Sequence, residues 1–350
     1  MPPADKSSHD DGAHPEPLTI AQLAERAGVS VATVSKVVNG RAEVAAETRE
    51  VVEDLIRRHG YRRQKRASGP APMLEVVFHE LAGPYPVEIV RGVQQVAAEH
   101  SLAVAVSELQ GSHTPGRGWV EAILARRPTG VIATFSGLTE AQDSQLRTRG
   151  IPFVLVDPPA EPAYDCPSVG ASNWSGGMSA TRHLLQLGHR RIAIVAGPSD
   201  ALASRARLDG YRAAMDIAGV PVDKNLVRIG DFQVEDGIAH TRELLRLPDP
   251  PTAIFACNDG SALGVYRAAA EAGLRVPEDL SVVGFDDLFP SQWLTPPLTT
   301  VRQPLAEMAA TAAAMVIGLA HGNPPAQRRV ELTTDLVVRD STAPPRGAAD

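Results

Sequence analysis

The 350-residue chain is poor in cysteine and in aromatic residues. Its two cysteines, Cys166 and Cys257, lie far apart and form no CxxC pair, so the sequence predicts neither a disulfide framework nor a zinc site. So little cysteine is typical of proteins in a reducing compartment such as the cytoplasm. Aromatic residues make up only 4% of the chain, so the position of each one is informative.

Long apolar runs are also missing from the sequence. No stretch approaches the roughly 18 apolar residues that a membrane-spanning helix needs. Residues 1–17 contain Asp5, Asp10 and Asp11 but no apolar segment, so they have the features of neither a signal peptide nor a membrane anchor. We expect a disordered leader over residues 1–17 and a cytoplasmic protein.

Catalytic and phosphate-binding motifs are absent as well. The chain has no GxGxxG after a predicted strand, no GxxxxGK(S/T), no HExxH and no GxSxG, which are the motifs of common nucleotide-binding and hydrolytic enzymes. We therefore expect no enzyme activity, no cofactor and no metal. An α/β enzyme with a fused regulatory domain is the competing class, and turnover of a candidate ligand by the purified protein would support it.

Charge is distributed unevenly along the chain, whose net charge is −7. Residues 18–66 contain ten Lys and Arg against six Asp and Glu, a net charge of +4. The other residues contain 24 basic and 35 acidic groups, a net charge of −11. A small basic module attached to an acidic body is what a phosphate-binding domain requires.

Three sections follow the leader. Residues 18–60 have helical periodicity, residues 61–73 have the basic and then Pro/Gly-rich composition of a linker, and residues 74–340 alternate short apolar runs with amphipathic stretches. Continuous apolar strands that alternate with helices predict parallel sheets covered on both faces. The predicted strands are 74–79, 102–107, 130–135, 153–157, 192–196, 253–256 and 282–285, and the main predicted helices are 87–100, 140–149, 175–187, 205–218 and 261–272. Residues 341–350 are rich in Pro and Ala, and we expect a disordered tail.

The first of these sections predicts three short helices. Thr19 is placed to cap the first, Gly28 can take a positive φ at its end, and Ser30 can cap the second, residues 31–38. A third helix, about 45–59, is predicted to bury Val51, Leu55 and Ile56. This geometry places a second helix in the major groove of DNA, although a helical unit that binds nothing fits the periodicity about as well.

The residues of this section also resemble a known family. The run AGVSVATVSKVVN (27–39), together with its flanks over residues 18–49, is similar to the N-terminal domain of the lactose-repressor/galactose-repressor (LacI/GalR) family of bacterial regulators. The resemblance implies that Val31, Ala32 and Lys36 read base edges. The first two side chains can touch a thymine methyl group, and Lys36 can donate to guanine. The resemblance also implies phosphate or register contacts for Thr19, Ser30, Thr33, Ser35, Asn39 and Tyr61.

The linker departs from the pattern of that family. Relatives usually have a Pro-Asn pair after the matching tyrosine and then a hinge helix whose leucine enters the minor groove. This chain has Arg62 and Arg63 instead, followed by QKR, with no leucine until Leu74. Two interpretations follow: a solvated basic linker, or electrostatic contact with phosphates or a narrow minor groove. Next to a DNA-binding domain we favour the second.

Polar residues follow several predicted strands of the third section. In open α/β sheets ligands bind outside the carboxyl ends of the strands, so Asp157, Asn258 and Asp286 are predicted to line one crevice. Asp and Asn at such junctions are also common helix caps, and Asn258 stands just before a predicted helix. For each residue taken alone, capping and ligand contact are equally favoured.

Four further runs resemble the effector domain of the same family: LGHRRIAIVAG (187–197), RARLDGYRAAM (205–215), FACNDGSALGVYRAAAEAGLRVPEDLSVVGFDD (255–287) and PPLTTVRQP (296–304). That domain is similar in fold to periplasmic sugar-binding proteins, whose two α/β lobes hold the ligand between them. The resemblance implies polar contacts with an effector from Arg207, Asn258 and Asp286, and further cleft positions at Asp157 and Phe232.

The chemistry of these residues suits a sugar, whose hydroxyl groups both donate and accept hydrogen bonds. An aromatic side chain such as Phe232 or Trp293 can cover the apolar face of a pyranose. His79, Glu80 and Tyr85 follow the first strand, where relatives also line the cleft. An exposed charged rim is the competing interpretation of this loop.

The sequence as a whole predicts a small all-α helix-turn-helix head and a two-lobed, periplasmic-binding-protein-like α/β effector and dimerisation domain with parallel sheets. The lobes are predicted at about 74–160 with 303–322, and 161–302 with 323–340. We expect a homodimeric repressor of carbohydrate-utilisation genes that binds a pseudo-palindromic operator and is released by a small sugar. The alternative keeps this architecture with a purine or another metabolite as corepressor.

Overall fold

The computed structural model describes residues 18–38, 43–59, 70–110, 114–134, 137–158, 160 and 166–346. The chain divides between residues 69 and 70 into two compact units, a helical head and a larger α/β body. The predicted leader and four predicted DNA contacts lie outside the described residues: Asn39, Tyr61, Arg62 and Arg63. No helix in the described part of the chain is long and apolar enough to cross a membrane.

The head consists of the helices α1 (Ile20–Ala27), α2 (Val31–Val38) and α3 (Ala46–His59). α1 begins in a capping box, in which the Gln22 amide donates to Thr19 Oγ1 and the Thr19 amide donates to Gln22 Oε1. Gly28 ends α1 with a φ of 67°. Ser30 Oγ accepts from the Thr33 amide at 3.1 Å. The predicted caps at Thr19, Gly28 and Ser30 are therefore confirmed.

The three helices of the head share one small hydrophobic core. Leu23, Val34 and Val52 are fully buried, and Leu55 and Ile56 pack against them. The prediction that Val51 is buried was wrong, because its side chain is 49% exposed. Val52 takes its place, since positions 52, 55 and 56 follow the i, i+3, i+4 spacing of a single helix face.

The described residues of the body form two six-stranded sheets, one in each lobe. The strands are β1 (Ala71–Phe78), β2 (Ala103–Glu108), β3 (Pro128–Thr134), β4 (Phe153–Val156), β5 (Ser168–Ala171), β6 (Ile192–Ala196), β7 (Val227–Ile229), β8 (Ala253–Ala256), β9 (Ser281–Asp286), β10 (Thr299–Arg302), β11 (Arg329–Leu332) and β12 (Asp335–Val337). The first sheet has the order β11-β5-β4-β3-β1-β2 and is parallel throughout. The second has the order β12-β10-β9-β8-β6-β7 and is parallel except between β10 and β12.

Helices cover both faces of each sheet, as the continuous apolar strands predicted. They are α4 (Tyr85–Glu99), α5 (Arg117–Arg126), α6 (Glu140–Thr148), α7 (Asn173–Gln186), α8 (Leu202–Ile217), α9 (Val234–Leu244), α10 (Asp259–Glu271) and α11 (Leu305–Ala320). In β1, Val76 belongs to the core beneath α4 and α11, whereas Val77 packs with α5 and α6 on the opposite face. In β6, Ile194 packs with α7 and α8, and Val195 packs with α9 and α10.

The two lobes divide the chain differently from the prediction, which assigned β5 and β11 to the second lobe. Both strands belong to the first sheet, because β5 pairs with β4 through Leu155 and Ser168, and β11 pairs with β5. The strands β5, β7, β10, β11 and β12 were not predicted at all. Each is only three or four residues long. Such short segments become strands because they pair with another strand of the sheet, and no pattern within them indicates this.

Both ends of the body extend further than predicted. β1 begins at Ala71, inside the predicted linker, and the Ala71 amide donates to the Arg127 carbonyl at 2.7 Å. The predicted disordered tail is also wrong at its start, because Ser341 is completely buried. Its hydroxyl accepts from the Thr299 amide at 2.7 Å and donates to the Val282 carbonyl at 2.6 Å. These bonds hold the segment in place, although its composition is that of a loop.

Candidate functional site

A cleft of about 680 Å³ lies where the carboxyl ends of the two sheets face each other. The ends of β1, β3 and β9 reach it, as do the residues that follow β6, β7, β8 and β10. This is the position that parallel α/β sheets use for ligands. Six of the eight predicted effector residues line the cleft: Glu80, Tyr85, Arg207, Phe232, Asn258 and Asp286. His79, which was also predicted in this region, lines it too.

Arg207 occupies the inner end of the cleft and is only 3% exposed. It projects from α8, and its Nη1 lies 3.6 Å from Asp286 Oδ1. Its Nε donates to Asn173 Oδ1 at 2.8 Å, and its Nη1 donates to the Cys257 carbonyl. Two of the three guanidinium nitrogens therefore contact protein atoms, which fixes the position of Arg207 before any ligand binds.

Asp286 shares this inner end with Gln303. Gln303 Nε2 donates to Asp286 Oδ1 at 2.6 Å, while Gln303 Oε1 is buried and has no hydrogen-bond partner among the described residues. A buried acceptor without a partner destabilises the protein, so a ligand hydroxyl or N–H that donates to Gln303 would be favoured. The sequence prediction did not include Gln303, although it lies in the run 296–304 that carried the resemblance.

Burial shifts the titration of the carboxylates around the cleft. It raises the pKa of Asp286 from 3.8 to about 6, although Arg207 opposes the shift. Burial also raises the pKa of Asp157, again against the charge of Arg207, and it raises the pKa of Asp259 well above its ordinary value. Such a concentration of perturbed carboxyl groups around one cleft is typical of a functional site.

Asn258 caps a helix, which is one of the two roles that the sequence left open, and it also lines the cleft. Its Oδ1 accepts from the Ser261 amide at 2.9 Å and so caps α10, while its Nδ2 donates to the Phe232 carbonyl at 2.9 Å. Phe232 has a φ of 63°, and its ring lies against Gly197, where an added Cβ would be only 2.2 Å from the ring. Asn258 and Gly197 together hold Phe232 in the cleft wall.

Two of the predicted effector residues do not line the cavity. Asp157 is buried behind Tyr85, whose hydroxyl donates to Asp157 Oδ2 at 3.1 Å. Trp293 is 70% exposed and packs instead against Phe289, with ring centroids 6.1 Å apart. It lies in a 3-10 segment, Phe289–Trp293, where the turn directs its ring towards solvent. Trp293 is therefore not in a position to cover a ligand in the cleft.

The second helix of the head carries the predicted base-reading residues on one surface. Val31, Ala32 and Lys36 are all exposed, whereas Val34 and Val37 of the same helix are buried. Lys36 Nζ lies 2.9 Å from Glu43 Oε2, in a pair that is exposed on both sides. An exposed pair of this kind contributes little to stability, so Lys36 can exchange it for another acceptor.

The predicted phosphate contacts lie around this helix. Thr19 is exposed just before α1, and Ser30 is exposed just before α2. Thr33 and Ser35 are half-buried, and Thr33 Oγ1 lies 2.9 Å from Ser30 Oγ. Thr19 and Ser30 both stand at helix N-termini, where backbone amides favour an anionic group such as a phosphate.

Comparisons with known proteins agree with this architecture. Residues 19–64 match the family described as bacterial regulatory proteins, lacI family, and residues 181–342 match the periplasmic binding protein-like domain. The chain is 30% identical to the HTH-type transcriptional repressor CytR of Escherichia coli K12, over 93% of this chain and 96% of that protein. It is 34% identical to the HTH-type transcriptional regulator CelR of Thermobifida fusca, over 92% and 98%.

Solved structures give the same result. A complex of the regulator CelR with cellobiose has a TM-score of 0.70 and 33% identity, over 93% of this chain and 99% of that one. The lac repressor dimer bound to operator and the anti-inducer ONPF has a TM-score of 0.68 and 31% identity, over 94% and 100%. The protein is a DNA-binding transcriptional regulator. The chain belongs to the LacI family of bacterial regulatory proteins.

Proposed function

We propose that the protein is a homodimeric repressor of carbohydrate-utilisation genes, and that a small sugar in the cleft releases it from a pseudo-palindromic operator. The composition of the cleft is the main support for a sugar ligand. Its inner end offers two carboxylate or amide acceptors, on Asp286 and Gln303, next to the apolar ring of Phe232. Sugars present hydroxyl donors at their edges and C–H groups on their faces, so they match both features.

The charge of the cleft favours a neutral ligand. Glu80, Asp200 and Asp231 line it together with the inner carboxylates, whereas the guanidinium of Arg207 already contacts Asp286. A phosphorylated sugar or a nucleotide would meet like charges and few available donors, which disfavours binding. A neutral sugar meets no such repulsion. The cellobiose bound to CelR in the related structure is a neutral sugar of this kind.

A dimer supplies the DNA specificity that one head lacks. α2 has eight residues, so it reaches only a few base pairs, and two symmetrical heads double the recognised sequence. The relative solved on its operator is a dimer. We propose that sugar binding changes the arrangement of the lobes and so changes operator affinity, which makes the effect a coupling free energy between two sites. We expect the sugar to be bound and released unchanged.

The alternative is a purine or another metabolite that acts as a corepressor in the same cleft. A thermal-shift screen of neutral sugars, sugar phosphates and nucleobases separates the two. The proposal predicts stabilisation by at least one neutral sugar, in a concentration-dependent way, and none by sugar phosphates. A response to nucleobases alone would refute the sugar assignment and leave the regulator assignment intact.

A further inference from the structure

Among the described residues, three short segments carry the chain between the two lobes of the body. The first joins β5 to α7 through Ser172, the second joins β10 to α11 through residues 303–304, and the third joins β11 to β12 through residues 333–334. We call these segments the crossings. A rearrangement of the lobes changes backbone angles here, because residues that link rigid bodies absorb their relative motion.

Hydrogen bonds hold the first crossing to the third. The Ser172 amide donates to the carbonyl of Leu332, the last residue of β11, at 2.8 Å. The Thr334 amide, just before β12, donates to Ser172 Oγ at 3.1 Å. A change in backbone angles at one of these two crossings therefore reaches the other.

Asn173 connects Arg207 of the cleft to the first crossing. It is the first residue of α7 and is only 8% exposed. Its Oδ1 accepts from Arg207 Nε at 2.8 Å, and its Nδ2 donates to the Ala171 carbonyl at 3.0 Å. Ala171 is the last residue of β5, in the sheet of the first lobe. One buried amide side chain therefore contacts an arginine of the second lobe and a strand of the first.

Arg207 is also connected to the second crossing. Its Nη1 lies 3.6 Å from Asp286 Oδ1, which accepts from Gln303 Nε2 at 2.6 Å. The backbone amide of Gln303 donates to the Asp286 carbonyl at 3.2 Å. Arg207 lines the cleft, so a ligand that displaces its guanidinium acts on side chains that lead to two crossings.

The backbone contact between α7 and α8 does not carry such a displacement. The two helices pack through glycine, because a Cβ added to Gly177 would overlap the backbone of Arg207. Helices in such close contact behave as one rigid part of the second lobe. A ligand that displaces the Arg207 side chain leaves this packing unchanged, so at the first crossing the displacement passes through the Asn173 side chain.

We infer that Asn173 is a positioning residue of the allosteric response, which transmits a displacement of the Arg207 side chain to the backbone of the first crossing. The inference rests on the proposed function, in which a sugar in the cleft changes operator affinity. A primary amide suits this task, because it accepts from Arg207 and donates to Ala171 at the same time. An ionised carboxylate only accepts, so Asn173→Asp keeps the contact with Arg207 and breaks the contact with the first sheet.

The test compares Asn173→Asp with the unmodified protein in three measurements. These are the sugar affinity of the DNA-free protein by calorimetric titration, the operator affinity without sugar, and the operator affinity at saturating sugar. The ratio of the two operator affinities is the coupling factor. The sugar is the neutral sugar that gives the largest thermal shift, and the operator is a duplex that the protein selects from a random pool.

The matched control is Thr181→Val on the same helix. Thr181 is completely buried, and its hydroxyl donates to the Gly177 carbonyl at 2.9 Å. The control therefore removes a buried hydrogen bond within α7, as a purely structural role of Asn173 would require, and should keep the coupling factor of the unmodified protein.

We expect Asn173→Asp to bind the sugar and to bind the operator normally when no sugar is present. Its coupling factor should fall to about one, from the range of about 5–150 that is typical of allosteric proteins. A coupling factor equal to that of the unmodified protein overturns the inference. Loss of sugar binding overturns it too, because Asn173 would then act only in holding Arg207 for the ligand.

Hydrogen exchange in the unmodified protein gives a second test that needs neither the variant nor DNA. Saturating sugar should slow exchange of the Ser172 and Thr334 amides, which bond within the crossings. Exchange that the bound sugar leaves unchanged at both amides overturns the inference. Failure of the proposed function appears separately, as an unmodified protein whose operator affinity no neutral sugar changes.

Discussion

The guanidinium carbon of Arg207 lies 3.7 Å from the centre of the Phe285 ring. The next residue, Asp286, faces the same guanidinium at 3.6 Å, so two consecutive residues at the end of β9 hold Arg207 by stacking and by charge. α8 supplies the arginine, and β9 supplies the aromatic ring and the carboxylate that face it. The inner wall of the cleft is thus built from the packing of the second lobe.

Replacing Arg207 tests whether this wall couples ligand binding to DNA binding. Arg207→Ala should abolish the response to a sugar while leaving DNA binding by the head intact. It also leaves Asp286 buried without its cationic partner, so the free energy of unfolding should fall by about 3–5 kcal/mol. Arg212→Ala on the same helix is the control, because Arg212 is half exposed and pairs with its exposed neighbour Asp209. A normal sugar response from Arg207→Ala would contradict the assignment.

Asn258 allows capping and ligand contact to be separated. Asn258→Ala removes the acceptor for the Ser261 amide and should lower the free energy of unfolding by about 1 kcal/mol. Asn258→Asp keeps that acceptor, since Asp caps as well as Asn, but removes the donor to the Phe232 carbonyl. We expect Asn258→Asp to keep most of the stability and lose sugar affinity, measured by urea unfolding and calorimetric titration. Equal loss of stability in both variants would contradict this division.

The raised pKa of Asp286 predicts a pH dependence. Folded Asp286 titrates at about 6 instead of 3.8, so between these values the folded state binds a proton that the unfolded state has released. The stability from this group is fully present below about pH 4 and is lost as the pH rises through 6. Asp286→Asn cannot titrate. The free energy of unfolding of the wild type, relative to that of this variant, should therefore fall as the pH rises from 4 to 6. We expect a decrease on the order of 1–3 kcal/mol.

Urea unfolding of both proteins across this range measures the difference directly. The carboxyl group of Asp259 adds to this difference, because the charge of Asp286 helps to raise the pKa of Asp259 and is missing from the variant. A difference that does not change with pH, or that rises with pH, would show that Asp286 is ionised in the folded state at every pH tested.

Lys36 is expected to act in sequence discrimination. Lys36→Ala should reduce the preference for the selected operator over single-base variants at one position, by about 1–3 kcal/mol. Glu43→Gln is the control: it removes the exposed partner of Lys36 and should leave discrimination intact. Competition binding with a panel of single-base variants measures both. A loss of affinity that is equal for all DNA would mean that Lys36 contacts phosphate and does not read bases.

Ser341 tests whether the end of the described chain is part of the folded body. Ser341→Ala leaves the buried Thr299 amide without its acceptor, and we expect the free energy of unfolding to fall by about 1–3 kcal/mol. Val338→Ala, at a side chain that is 58% exposed, should have little such effect. Chemical unfolding of the two variants decides the question, and unchanged stability of Ser341→Ala would show that the segment contributes nothing.

Local sequence patterns predicted helix caps and apolar strands, but they did not predict the strands whose place depends on pairing with a distant part of the chain. The caps at Thr19 and Ser30 and the apolar strand at 192–196 depend on neighbouring residues, and each was predicted. β11 alternates exposed and half-buried residues, so no apolar run marks it. Its place in the first sheet follows only from its pairing with β5, which lies far away in the sequence.

The same distinction applies to the cleft. Arg207, Asn258 and Asp286 were found because they follow strands or lie in runs that resemble a family. Gln303 was missed because its direction depends on how the chain passes from β10 to α11, which no local pattern reports. Trp293 was placed in the cleft on chemistry alone, and a 3-10 turn directs it to solvent.

We propose that a neutral sugar in the cleft controls DNA binding by the head. Footprinting on DNA that the protein selects from a random pool, repeated with neutral sugars, sugar phosphates and nucleobases, tests it most directly. We predict that the wild type protects two symmetrical half-sites and that at least one neutral sugar weakens this protection. The Arg207→Ala variant should protect the same half-sites whether or not the sugar is present. Protection that no neutral sugar changes, but that a nucleobase strengthens, would contradict the account.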